Sequence, residues 1–169
     1  MTALVMVVED DTVSLMAVKY VLQDTEFRTA DFTTLAAALE FVTLQIPDLA
    51  ILAPALDGES TGRVAYTLRK NGVPFVWLSE NRESLPKPYR KDHLVTKPFI
   101  AATLLGSLTA AYLASHRGYH DLRHEGSPAL TSPKCPQCEM VSAALHQAVS
   151  KHETAPVIKA IGGTQQLSA

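Results

Sequence analysis

Three short runs, "ALVMVV" (3–8), "DLAILA" (48–53) and "PFVWLS" (74–79), are apolar at almost every position. A strand with one wet face alternates apolar and polar residues, so a strand without alternation has both faces covered, as in parallel sheets sandwiched between helices. Each run ends in a polar residue or a turn, and the first two are each followed by a segment of helical spacing. The chain is therefore expected to alternate strand and helix.

Asp11 and Thr12 can cap the first helix, in which Val13, Leu15, Met16, Val18, Tyr20 and Leu22 recur at near-helical intervals. A second strand is expected near "FRTADF" (27–32). It is followed by a helix through "TTLAAALEFVTLQ" that Pro47 ends, then by the strand "DLAILA". "GESTGRVAYTLRKNG" predicts a helix closed by Asn71 and Gly72, and "PFVWLS" is the fourth strand. "ENRESLPKPYRKD" (80–92) carries two prolines and can hold at most a short, distorted helix. "HLVT" supplies a fifth strand, and "FIAATLLGSLTAAYLASHR" a last helix with Leu104, Leu108, Ala111 and Tyr112 on one stripe. Five βα units with short connections predict an α/β domain, a doubly wound five-stranded parallel sheet with helices on both faces. Its working site lies at the carboxyl ends of the strands.

The domain is expected to span 1–115. Beyond it, residues 116–169 hold five of the six histidines and Pro128, Pro133 and Pro136, which predicts a flexible tail with a short helix around 139–152. On that helix Val141, Leu145 and Ala148 form a modest stripe that can dock on the domain or pair with another chain as a homodimer. The two cysteines, Cys135 and Cys138, form "CPQC", which has the spacing of a redox pair or half a zinc site and is also compatible with an incidental occurrence. Completing a zinc site with His146 and His152 would require an unusual spacing. With 47% hydrophobic and 19% charged residues and a formal net charge of -2, the 169 residues offer no basic stripe for nucleic acid. The absence of a long apolar run argues against a membrane span, and the acidic start argues against a signal peptide. A cytoplasmic location is expected.

At the carboxyl ends of the expected strands stand Glu9 and Asp10, Ala53, Ser79, and Lys97 followed by Pro98 and Phe99. With "VVEDD", "DLAILA…DGES", "FVWLS" and "TKPF" in this order and spacing, the chain resembles the CheY-like receiver domain of bacterial response regulators over Ala3 to about Ser115. The resemblance implies a flavodoxin-like sheet in the order 2-1-3-4-5 and a part in two-component, phosphorelay signalling. It further implies that Glu9 and Asp10 bind Mg2+ and that Ser79 and Lys97 hold phosphoryl oxygens. The residue types suit those roles independently, since magnesium takes carboxylate oxygens and an ammonium attracts a phosphoryl group. Taken singly, the same residues are ordinary solvated charges and a turn hydroxyl.

The pattern departs from the family at Ala53, which occupies the phosphoacceptor position. A carboxylate can form an acyl phosphate and a methyl group cannot. Asp57, four residues on, is a weak substitute because its Asp-Gly pair reads as a turn. Leu94 replaces the aromatic residue that many members carry three positions before the lysine. The leading expectation is a pseudo-receiver: a single domain that is not an enzyme and has no output domain, with at most weak Mg2+ binding. It would act by phosphorylation-independent contact with a histidine kinase or other signalling protein. The alternatives are an active phosphoacceptor receiver using Asp57, and a normal receiver in which Ala53 is engineered.

Overall fold

The computed structural model describes residues 2–23, 25–123 and 136–153, with side chains described over 2–23, 25–115 and 139–152. Five strands, β1 (Leu4–Val8), β2 (Arg28–Phe32), β3 (Leu49–Leu52), β6 (Phe75–Ser79) and β7 (Leu94–Thr96), pair in parallel in the order β2-β1-β3-β6-β7. This is the expected doubly wound order. β4 (Ala55–Leu56) and β5 (Glu59–Ser60) form a small antiparallel hairpin where the sequence predicts a turn and the start of a helix.

The helices are α1 (Thr12–Gln23), α2 (Leu35–Leu44), α3 (Gly62–Lys70), α4 (Ala101–Arg123) and α5 (Pro136–Glu153). Asp11 caps α1, its Oδ2 accepting from the Ser14 N–H at 2.9 Å and the Ser14 hydroxyl at 2.5 Å. A Schellman turn closes α3: the Val73 N–H donates to the Leu68 carbonyl, the Gly72 N–H to that of Arg69, and Gly72 adopts φ 70°. Between β6 and β7 there is no α-helix, only the 3-10 turn Lys87–Tyr89, as the prolines of this segment require.

The strand pleat divides the core into two layers. Val5, Val7, Leu49, Ile51, Val76 and Leu78 face a cluster completed by α1, α4 and α5. Met6, Val8, Ala50, Leu52, Phe75 and Trp77 face one completed by α2, α3, Leu85 and Tyr89. This alternation of partners on fully buried strands accounts for the unbroken apolar runs.

Beyond the expected boundary at 115, α4 continues to Arg123, and α5 packs against α4 with Val141, Ala144, Leu145 and Ala148 buried in the first cluster. The helix expected around 139–152 is thus the docked α5. The rest of the expected 116–169 tail, including Cys135, lies outside the described residues, as does the Cys138 side chain. Among the described residues no helix is long and apolar enough to cross a membrane.

Candidate functional site

Register brings the candidate residues to one edge. Val8 pairs with Leu52, Leu52 with Trp77, and Ser79 with Thr96, so Glu9, Ala53, Ser79 and Lys97 all emerge at the carboxyl end of the sheet. The Glu9 N–H donates to the Phe32 carbonyl at 3.0 Å, the Ala53 N–H to that of Val8 at 2.8 Å, and the Lys97 N–H to that of Ser79 at 2.9 Å. These bonds extend the sheet ladder by one residue and fix the backbone under each side chain.

Glu9 is only 1% exposed. Its Oε2 lies 2.7 Å from Lys97 Nζ, and Oε1 accepts the Asp11 N–H at 3.1 Å. The contact is an ion pair without an aligned hydrogen bond at Oε2. Asp10, at the exposed rim, accepts the Asp57 N–H at 2.7 Å through Oδ2. Asp11 is spent on the α1 cap, and the Ser14 hydroxyl, followed by the Ser14 N–H, holds its carboxyl below the usual carboxylate value. Among the described residues no three His, Cys, Asp or Glu side chains converge as metal ligands.

Ala53 directly follows β3, with its methyl group buried and its carbonyl accepting from the Thr61 hydroxyl. Asp57 and Gly58 form the exposed turn of the β4–β5 hairpin at φ 46° and 80°, the left-handed conformations an Asp-Gly pair supplies. Ser79 is buried at the end of β6. Leu94 pairs with Trp77 and is half-buried against the second core cluster. The Lys97–Pro98 peptide bond is cis.

Three features of the site were not read from the sequence. Pairing of Lys97 with Glu9 depends on the spacing of two strands that are far apart in the chain. Thr61, a fully buried hydroxyl, closes the loop under Ala53. On α1, Val13, Met16 and Tyr20 are 76%, 66% and 61% exposed, leaving an apolar stripe facing outward. Val13 also borders an open groove of about 630 Å³ shared with Asp11, Ala17, Lys97 and Phe99.

No family model and no curated protein matches the sequence. Solved structures do. SdrG from Sphingomonas melonis Fr1 is 26% identical over 65% of this chain and 96% of its own, at a TM-score of 0.59. The CheY-like response regulator receiver domain from Methylobacillus flagellatus is 20% identical over 66% of this chain and 99% of its own, at 0.56. The response regulator PhyR from Brucella abortus is 20% identical over 75% of this chain and 54% of its own, at 0.59. The chain has the fold of a response regulator receiver domain.

Proposed function

We propose that this receiver-fold chain is a cytoplasmic signalling module that works by protein contact without aspartyl phosphorylation, meeting a histidine kinase or another protein of a two-component pathway. One observation carries the reading: the residue that follows β3, where a receiver presents its acceptor carboxylate, is the buried methyl of Ala53. Two others support it. Lys97, the residue that would contact a phosphoryl group, has the buried Glu9 carboxylate as its ion-pair partner. The outward stripe of Val13, Met16 and Tyr20 on α1 has no cover among the described residues and offers apolar area to a partner.

Asp57 is the rival acceptor, since its backbone reaches Asp10. Incubating the full chain with acetyl phosphate and magnesium, then measuring intact mass, separates the two. No adduct is the expected result. A base-labile adduct that is lost in Asp57→Asn would replace this reading with an active receiver, and one that persists in Asp57→Asn would place the acceptor elsewhere.

A further inference from the structure

We infer that the Lys97 ammonium is the resident cation of this pocket, occupying the charge position that a divalent metal would take, and that removing it turns the strand ends into a divalent-cation site. The magnesium assigned to Glu9 and Asp10 by resemblance does not fit the residues as they stand. Magnesium requires near-octahedral oxygen ligands at about 2.0–2.1 Å. Three carboxylate oxygens of the pair already have partners: Oε1 of Glu9 holds the Asp11 N–H, Oε2 holds Lys97, and Oδ2 of Asp10 holds the Asp57 N–H. A third ligand from the end of β3 is missing because Ala53 has no oxygen on its side chain.

The charges lead to the same conclusion. A carboxylate that is 1% exposed needs a cation against it, because an isolated buried charge is strongly disfavoured. Lys97 supplies that cation, with its side chain 20% exposed and its ammonium 2.7 Å away. Glu9, Asp10 and Lys97 together carry one net negative charge, whereas Glu9 and Asp10 alone carry two, matching a divalent ion. Asp11 also faces Lys97, but its carboxylate is committed to the cap of α1. A metal entering the wild-type pocket must therefore displace an ammonium that is tethered in place, while a metal entering without Lys97 meets a buried acid awaiting a counter-charge.

This inference concerns cation occupancy alone and its test contains no phosphodonor, so it and the proposed function fail on separate measurements. The test uses the full chain and two probes, Mg2+ followed by thermal unfolding and Mn2+ followed by electron paramagnetic resonance. In the wild type, the midpoint is expected to be the same in chelator and in millimolar magnesium, with no Mn2+ bound below millimolar concentration. Lys97→Met is expected to melt lower in chelator, to recover with magnesium, and to bind Mn2+ more tightly than wild type by about tenfold or more, because a ion bound only by the native state raises its stability. Lys97→Met combined with Glu9→Gln buries no unpaired charge, so it should regain stability without metal and lose the Mn2+ site. Micromolar Mn2+ binding by the wild type overturns the inference, even if Lys97→Met does not fold. Equal Mn2+ affinity in wild type and Lys97→Met also overturns it.

Discussion

The Asp57 N–H donates to Asp10 Oδ2 at 2.7 Å, tying the turn of the β4–β5 hairpin to the residue that follows the buried Glu9. The hairpin has a ladder of two residue pairs, is closed at its base by Thr61 bonding to the Ala53 and Pro54 carbonyls, and anchors Leu56 in the core, so this bond acts on its tip. Asp10→Ala should therefore speed hydrogen exchange at the Asp57 amide while leaving exchange in β1 and β3 near wild type. Gly58→Ala tests the same turn from the backbone. A Cβ there meets nothing within 4 Å, so the cost is the left-handed φ of 80° alone, about 1–2 kcal/mol in chemical denaturation. An unchanged Asp57 exchange rate in Asp10→Ala would show that the bond does not hold the turn.

A second expectation concerns α5. Leu145 is buried in the cluster shared by β1, β3, α1 and α4, so Leu145→Ala should lower stability by about 2–5 kcal/mol. The exposed Gln147→Ala on the same helix should stay within about 0.5 kcal/mol of wild type. A chain ending at Arg123 should still unfold cooperatively around its parallel sheet, at a lower midpoint, because α5 contributes four buried residues, Val141, Ala144, Leu145 and Ala148, to that cluster. If Leu145→Ala matches Gln147→Ala, α5 is not docked in solution.

The sheet was legible because unbroken apolar runs have few other uses, and the strand ends followed from the runs. Helix α1 was legible as a helix but its inner face was not. Val13, Met16 and Tyr20 satisfied the spacing yet point outward, while Ser14, Val18, Val21 and Leu22 are buried. Periodicity reports a repeat, and which side of it meets the sheet depends on how the helix enters from Asp11. The hairpin was obscured because Glu59 and Ser60 resemble a helix start, although its Asp-Gly turn was visible. The Lys97–Glu9 pair joins residues 88 positions apart (97 minus 9) and has no local signature. Trp77, near the strand ends in sequence, packs between Phe75 and Tyr89 on the α2–α3 layer, with ring centroids 5.7 and 5.4 Å away.

That aromatic layer yields a pH prediction. Arg69 lies over the Tyr89 ring at 4.5 Å and pairs with Asp92, and the Tyr89 hydroxyl donates to the Gly62 carbonyl at 3.3 Å. Burial, which disfavours the phenolate, raises Tyr89 above its ordinary value; Arg69 opposes that shift. In the unfolded chain the phenol ionises near pH 10. Once the pH passes about 10, the unfolded state releases this proton while the folded state keeps it, so stability falls as pH rises through that window. Tyr89→Phe should show a shallower loss between neutral and strongly alkaline pH. Other alkaline groups are common to both proteins and cancel in the difference. Identical slopes would show that Tyr89 ionises equally easily in both states.

The remaining prediction restores a carboxylate where β3 ends. Ala53 is buried at the strand edge that carries Glu9, and no carboxylate other than Glu9 shares Lys97 as an ion-pair partner among the described residues. Ala53→Asp adds a third acid, beside Glu9 and Asp10, for one ammonium. Two unit charges about 4 Å apart repel by up to about 4 kcal/mol at an effective dielectric near 20, and Lys97 can offset only part of this. The variant should be less stable than wild type in chelator. Millimolar magnesium should recover much of the loss, because the added oxygens give the ion the third ligand that the wild-type pocket lacks. If Ser79 and Lys97 can still hold a phosphoryl group, acetyl phosphate should then yield a base-labile mass adduct that is absent from wild type. Stability that falls and recovers without an adduct would indicate that the acid side of the pocket has kept its receiver geometry while the Ser79–Lys97 side has not. Unchanged stability, together with no response to magnesium and no adduct, would mean that the end of β3 does not face the acid pair, and the assignment of Ala53 to the acceptor position would fail.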